Sequence, residues 1–116
     1  MFYVGNILWM ESGETTQDIP NFRHNFSGCV RWTWGSLEWF KNGFQQSLQD
    51  PVTGEWMPAV VWEDGKKAWY DHGAAHSFQN PTTGEWMPAV IDSDGRKYWY
   101  YHGREIINPN KNNKKV

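Results

Sequence analysis

Four histidines, His24, His72, His76 and His102, are the side chains best suited to metal or acid–base chemistry in this 116-residue chain. His72 and His76 flank one glycine turn, and His102 recurs at the position of His72. Imidazoles repeated on successive turns could hold a metal. However, no carboxylate recurs beside them at ligand spacing, and Asn42 and Ser12 fill the same slot. They read as turn residues, and neither a metal nor a cofactor is expected. Glycoside hydrolysis would need two facing carboxylates. Glu55 recurs as Glu85, and Asp64 as Asp94. Turn chemistry accounts for the aspartates and solvated strand starts for the glutamates, because residues duplicated with their surroundings are usually scaffold. The single cysteine, Cys29, aligns with Ala59 and Ala89, which makes it a small core residue rather than a nucleophile. No nucleophile elbow and no glycine-rich phosphate loop is present. The chain is expected not to be an enzyme.

Aromatic side chains interleaved with bases can take a ligand by stacking. Lys66, Lys67, Arg96 and Lys97 lie near Trp69 and Trp99. In an extended strand neighbours point to opposite faces. Lys67 and Lys97 then share the Trp face, and Lys66 and Arg96 share the face of Tyr70 and Tyr100. Phe40 holds the same position one phrase earlier. Phe40, Tyr70, Tyr100, Lys66 and Arg96, with the turn residues His72 and His102, form the candidate binding surface. Glu55, Glu63, Asp71, Glu85 and Asp92 oppose a basic strip, and the formal net charge is −2, so nucleic acid is disfavoured. The only basic cluster is Lys111, Lys114 and Lys115, read as a disordered tail over 111–116.

The elements that must carry this surface follow from repetition. PVTGEWMPAV at 51–60 returns as PTTGEWMPAV at 81–90. Set without gaps, 51–80 and 81–110 agree at 17 of 30 positions, and 21–50 agrees with 51–80 at seven: Val30, Trp32, Gly35, Trp39, Gly43, Ser47 and Gln49. Gly-x3-Trp-x3-Gly starts at Gly5, Gly35, Gly65 and Gly95. Each phrase holds two glycine turns. Asp64-Gly65 and Asp94-Gly95 suit type I′ hairpins, with positive φ at both central residues, and Asn42-Gly43 is a further hairpin signal. Short segments rich in aromatic and β-branched residues lie between the turns, and no stretch between breakers is long enough for a stable helix. Pro58 and Pro88 mark a strand start, an edge or a bulge.

The expected fold is all-β: about four thirty-residue, three-stranded antiparallel meanders stacked into a continuous or curled sheet. The units run about 1–26, 27–56, 57–86 and 87–110 within one domain, 1–110. Trp9, Trp39, Trp69 and Trp99 would form a core ladder, with Trp56 and Trp86 plugging its ends. Met10, Phe40, Tyr70 and Tyr100 would line a partly exposed face. Aromatics make up 17% of the chain, so burying them must offset modest aliphatic content. One cysteine precludes an internal disulfide, and the first residues carry neither a basic leader nor a spanning apolar run. No membrane partner is expected, and a reducing cytoplasm fits best.

The phrases MPAV, DGRKYWYYHG and DGKKAWYDHGAAH resemble a β-hairpin repeat of phage and large-virus proteins, and more loosely the MORN family. The unit here is longer than a MORN unit, Met57 stands where that repeat has glycine, and the usual His-Arg survives only as His76-Ser77. The resemblance implies a β scaffold with an interaction role and no catalytic set. The leading expectation is a scaffold that binds a partner protein, with a phage-encoded inhibitor acting in the host cytoplasm as its sharpest form. The alternatives are a binder of a nucleotide or sugar in an aromatic groove, and a self-assembling structural subunit, a homo-oligomer.

Overall fold

The computed structural model describes residues 1–20, 22 and 26–110 of the chain. His24 and the basic tail at 111–116 lie outside the described residues. The fold is all-β. β1 (Phe2–Val4), β2 (Ile7–Met10), β3 (Gly28–Trp32) and β4 (Leu37–Lys41), with the short β5 (Phe44–Gln45), open the chain. Then come β6 (Val60–Val61), β7 (Lys67–Ala68), β8 (Tyr70–Asp71), β9 (Ala74–Ala75), β10 (Val90–Ile91), β11 (Lys97–Tyr101) and β12 (Arg104–Ile106). A large mixed sheet runs β1-β2-β3-β4-β6-β7-β10-β11-β12, with β5 on β4, and β8 pairs β9 apart from it. The molecule is elongated, 54 × 27 × 26 Å.

The register explains how consecutive phrases join. Ala68 faces Val60 on one side and Val90 on the other. Leu37 and Glu38 likewise face Val61 and Val60. Ala59 donates its N–H to the oxygen of Ala68, whose ladder partner is Val60, so two residues meet one. That is a bulge, placed directly after Pro58, which has no N–H to give. Trp69 then diverts the chain: its N–H leaves for Ala89 O (2.7 Å), while its oxygen accepts from His76 N (3.1 Å). The strand therefore breaks between β7 and β8, and its two halves serve different neighbours.

The same bonds recur thirty residues apart. Ser47 N and Ser77 N donate to the oxygens of Tyr70 and Tyr100, at 2.8 and 2.7 Å. The Oγ atoms of Ser47 and Ser77 accept from Tyr70 N and Tyr100 N, at 3.0 and 3.1 Å. The indoles of Trp69 and Trp99 donate to the carbonyls of Trp56 and Trp86, at 2.9 and 3.0 Å. Asp50 and Asn80 close the Pro-x-Thr-Gly connections by accepting from the two backbone amides that follow the proline.

Four expectations are corrected. Positive φ at both central residues occurs at Asn42-Gly43, His72-Gly73 and His102-Gly103, not at Asp64-Gly65 or Asp94-Gly95, where glycine alone is left-handed. Trp62 N donates to Lys66 O across the latter loop, which makes it a three-residue hairpin with glycine in the αL position, and Asp64 accepts from Lys66 N instead. The start of the chain departs from a meander, because β2 and β3 run parallel and set Trp9 opposite Arg31 rather than in line with Trp39. The tryptophan ladder is not a uniform core. Trp69 is buried, whereas Trp9, Trp39 and Trp99 are only partly buried. The packed cluster gathers instead at the beginning, from Leu8, Met10, Ile19, Val30, Trp32 and Phe40, with Phe22 and Phe26 against it. Trp56 does not plug an end: its ring stacks on Phe78 at 4.0 Å.

Candidate functional site

Alternation along β7, β8 and β11 turns Ala68, Tyr70, Tyr98 and Tyr100 to one face. There an open groove of roughly 420 Å³ runs across two successive phrases, with Ala68, Ala75 and Val90 as its low floor. Trp62, Tyr98 and Tyr100 stand along it, and Lys66, Asp92 and Glu105 supply charge. Two alanines create the depression, and the first, Ala68, lies between Val60 and Val90. Ala75 pairs with Tyr70, whereas the equivalent Glu105 pairs with Tyr100.

Lys66 and Asp92 are held against each other. Lys66 Nζ lies 4.9 Å from the Trp62 ring centroid, a cation–π contact, and 4.0 Å from Asp92 Oδ1. On the far side of Tyr70, Glu38 accepts from Trp32 Nε1 at 3.0 Å and from Gln45 Nε2 at 3.1 Å. Burial, and then the charge of Glu38 and the neighbouring Tyr100, push the Tyr70 phenol above its ordinary range. Tyr70 thus stays a neutral hydroxyl at physiological pH, able to donate and accept.

The candidate surface read from the sequence is only partly assembled. Tyr70, Tyr100 and Lys66 come together in the groove. Phe40 does not: it is 6% exposed and lies against Phe22 and Phe26, at 5.0 and 6.0 Å between centroids. Its side chain closes the initial cluster because Phe22 and Phe26 cover that end. Arg96 is exposed and turned back on its own hairpin, with Nε 3.2 Å from Asp94 Oδ2. His72 sits on its turn, Nδ1 2.8 Å from Asp71 Oδ1. His102 occupies the next turn, its ring stacked on His76 at 4.3 Å. Both belong to the stacking of turns and neither lines the groove.

Two groove residues escape the sequence reading. Tyr98 stands two residues before Tyr100, so alternation alone puts it on the same face, but its counterpart Ala68 conceals the pattern. Trp62 matches Trp32 but has Asp92 at the next equivalent position, so the agreement between 51–80 and 81–110 does not mark it.

Other chemistry-bearing groups face inward. Burial pushes the Cys29 thiol up to about 11, with Arg31 partly opposing. A thiol in that state is protonated and inert near neutrality. Among the described residues no group of three or more His, Cys, Asp or Glu side chains is placed to hold a metal. No helix among them is long and apolar enough to cross a membrane. Comparison with protein-family models, with curated proteins and with solved structures finds no match.

Proposed function

We propose that the chain is a non-enzymatic β-repeat scaffold, about four thirty-residue units stacked along one axis, whose tyrosine groove docks a partner protein. The observation that carries this reading is the groove of Tyr70, Tyr98, Tyr100 and Trp62 across two units. Tyrosine and tryptophan offer large contact area at little entropic cost, and they are enriched where proteins bind proteins. The backbone beneath is tied from unit to unit by the Ser47 and Ser77 bonds, so the rings are presented ready-placed. Preorganisation of this kind lowers the cost of association. The likeness to viral repeats points to a host factor as the partner.

The test is a capture experiment from host lysate with Tyr70→Ala and Tyr100→Ala combined. Loss of the captured partner, with an unchanged circular dichroism spectrum, supports the groove. Retention of the partner by the folded double variant removes the groove from consideration. A second reading, a nucleotide or sugar held by stacking, draws on Lys66 beside Trp62. A thermal-shift series with such ligands separates the two, since only the small-ligand reading expects a rise in Tm.

A further inference from the structure

The two ends of the large sheet differ from its middle in a way that assigns them a partner. Inside the molecule, each hairpin receives the next through a pair of side-chain acceptors. Gln46 Oε1 accepts from His72 N at 2.9 Å, and Ser47 Oγ from Tyr70 N at 3.0 Å. His76 Nδ1 accepts from His102 N at 3.1 Å, and Ser77 Oγ from Tyr100 N at 3.1 Å. The corresponding pair at the final hairpin is Ile106-Ile107, which can accept nothing.

Polar residues that are covered inside the stack thus give way to apolar ones. Ser47 and Ser77 are 1% and 2% exposed, whereas Ile107 is 77% exposed. Beside it lies an open groove of roughly 490 Å³ lined by Tyr98, Trp99, Ile106 and Ile107, with Lys97, Glu105 and Asn108 as its polar members. Among the described residues no strand pairs beyond the first half of β11 or beyond β12. The equivalent stretches Leu37–Glu38 and Lys67–Ala68 each receive a strand there, Val60–Val61 and Val90–Ile91.

At the opposite edge of the same sheet, β1 also lacks an outer neighbour among the described residues. It too is apolar and uncovered: Phe2, Tyr3 and Val4 are 45%, 64% and 58% exposed. The strand is held ready, with the N-terminal ammonium 2.7 Å from Glu14 Oε2 and Phe2 stacked on Trp9. An unpaired edge at each end of one sheet, with Phe2, Tyr3 and Val4 exposed at one and Ile107 beside the other, offers free backbone groups for strand pairing.

We propose that β1 of one copy adds to the β11–β12 end of another, continuing the sheet head to tail between identical chains. The Ile106-Ile107 pair covers the apolar side chains of the incoming strand, and the outer edge of Lys97–Tyr98 supplies its backbone partners. The two surfaces are different, so the contact is heterologous and each copy keeps one free end. Association is then open-ended rather than closed at a dimer. The contact rests on the sheet edges and not on protein docking in the tyrosine groove, with which it shares Tyr98 and Glu105.

Sedimentation velocity on the full chain across a wide concentration range tests the proposal, with Ile107→Asp blocking one end and Tyr3→Asp the other. The wild type grows past a dimer as concentration rises. Each variant alone is a monomer. Mixed in equal amounts they form a one-to-one dimer and nothing larger, because one intact β1 and one intact receiving end remain. A wild type that stays monomeric overturns the proposal. So does a Tyr3→Asp chain that still dimerises, which would mean two like ends meeting, and so does a mixture without heterodimer. Ile107→Lys and Tyr3→Lys, both at exposed positions, repeat the test should an aspartate variant fail to fold.

Discussion

His76 shows how one side chain links packing to pH. Its Nδ1 must be an unprotonated acceptor to take the His102 N–H. Burial, and then the neighbouring His102, hold its pKa below the ordinary 6.5, with Asp71 opposing. The unfolded chain therefore takes up this proton first as pH falls. The stabilising contribution is complete above 6.5 and declines below it, down to the depressed folded value. Thermal unfolding between pH 7 and 5 is expected to show Tm falling on acidification. In His76→Gln the fall is shallower, because the amide oxygen accepts as Gln46 does and does not titrate. Equal slopes for the two proteins would show that His76 is not the group responsible. Cys29 makes a simpler case. Its buried, protonated thiol should resist alkylation in the native chain at neutral pH and react promptly in denaturant, as mass spectrometry would record.

At the scale of elements, the hairpin turns bear the conformational demand. Asn42, His72 and His102 have φ of 51°, 51° and 46°, each followed by a left-handed glycine. Short polar side chains and histidine tolerate this region, and β-branched residues do not. His102→Asn should leave urea unfolding nearly unchanged, and His102→Val should cost about 1–2 kcal/mol. Equal effects from both would mean that side-chain stacking on His76, not the backbone, matters at that turn. Gly35 carries a different demand: at φ 112° an added Cβ would come within 2.9 Å of Glu63 Cβ. This glycine permits the close approach of one hairpin loop to the next, and Gly35→Ala should destabilise more than Gly65→Ala, whose Cβ meets nothing.

At the scale of the molecule, stability should behave as a sum of neighbour contacts. The surface that 21–50 offers through Trp39 N, Gln46 and Ser47 meets Ala59 O, His72 N and Tyr70 N. Residues 81–110 present Ala89 O, His102 N and Tyr100 N in the same arrangement. Removing 51–80 joins Asp50 to Pro81, as Asn80 is joined now. The shortened chain should fold to a β-rich state with a lower Tm and a smaller denaturant m-value. A deletion that unfolds it outright would argue for one indivisible core, centred on the Leu8–Phe40 cluster, instead of additive units.

The all-β class and the places where the chain turns are legible in the residues, because glycine after Asn, Asp or His and alternating aromatics act over two to four positions. Tyr70, Tyr100 and Lys66 share a face for the same reason. What the residues alone could not decide lies across the stack. Phe40 is equivalent to Tyr70 in the repeat, yet Phe22 and Phe26 pack against it and bury it. The break at Trp69, the parallel β2–β3 join, the groove over Ala68 and Ala75, and the bare Ile107 all depend on which neighbour arrives at a given edge. Pairing of that kind is set by contacts distant in sequence, whose free energy belongs to the assembled sheet and to no single phrase of it.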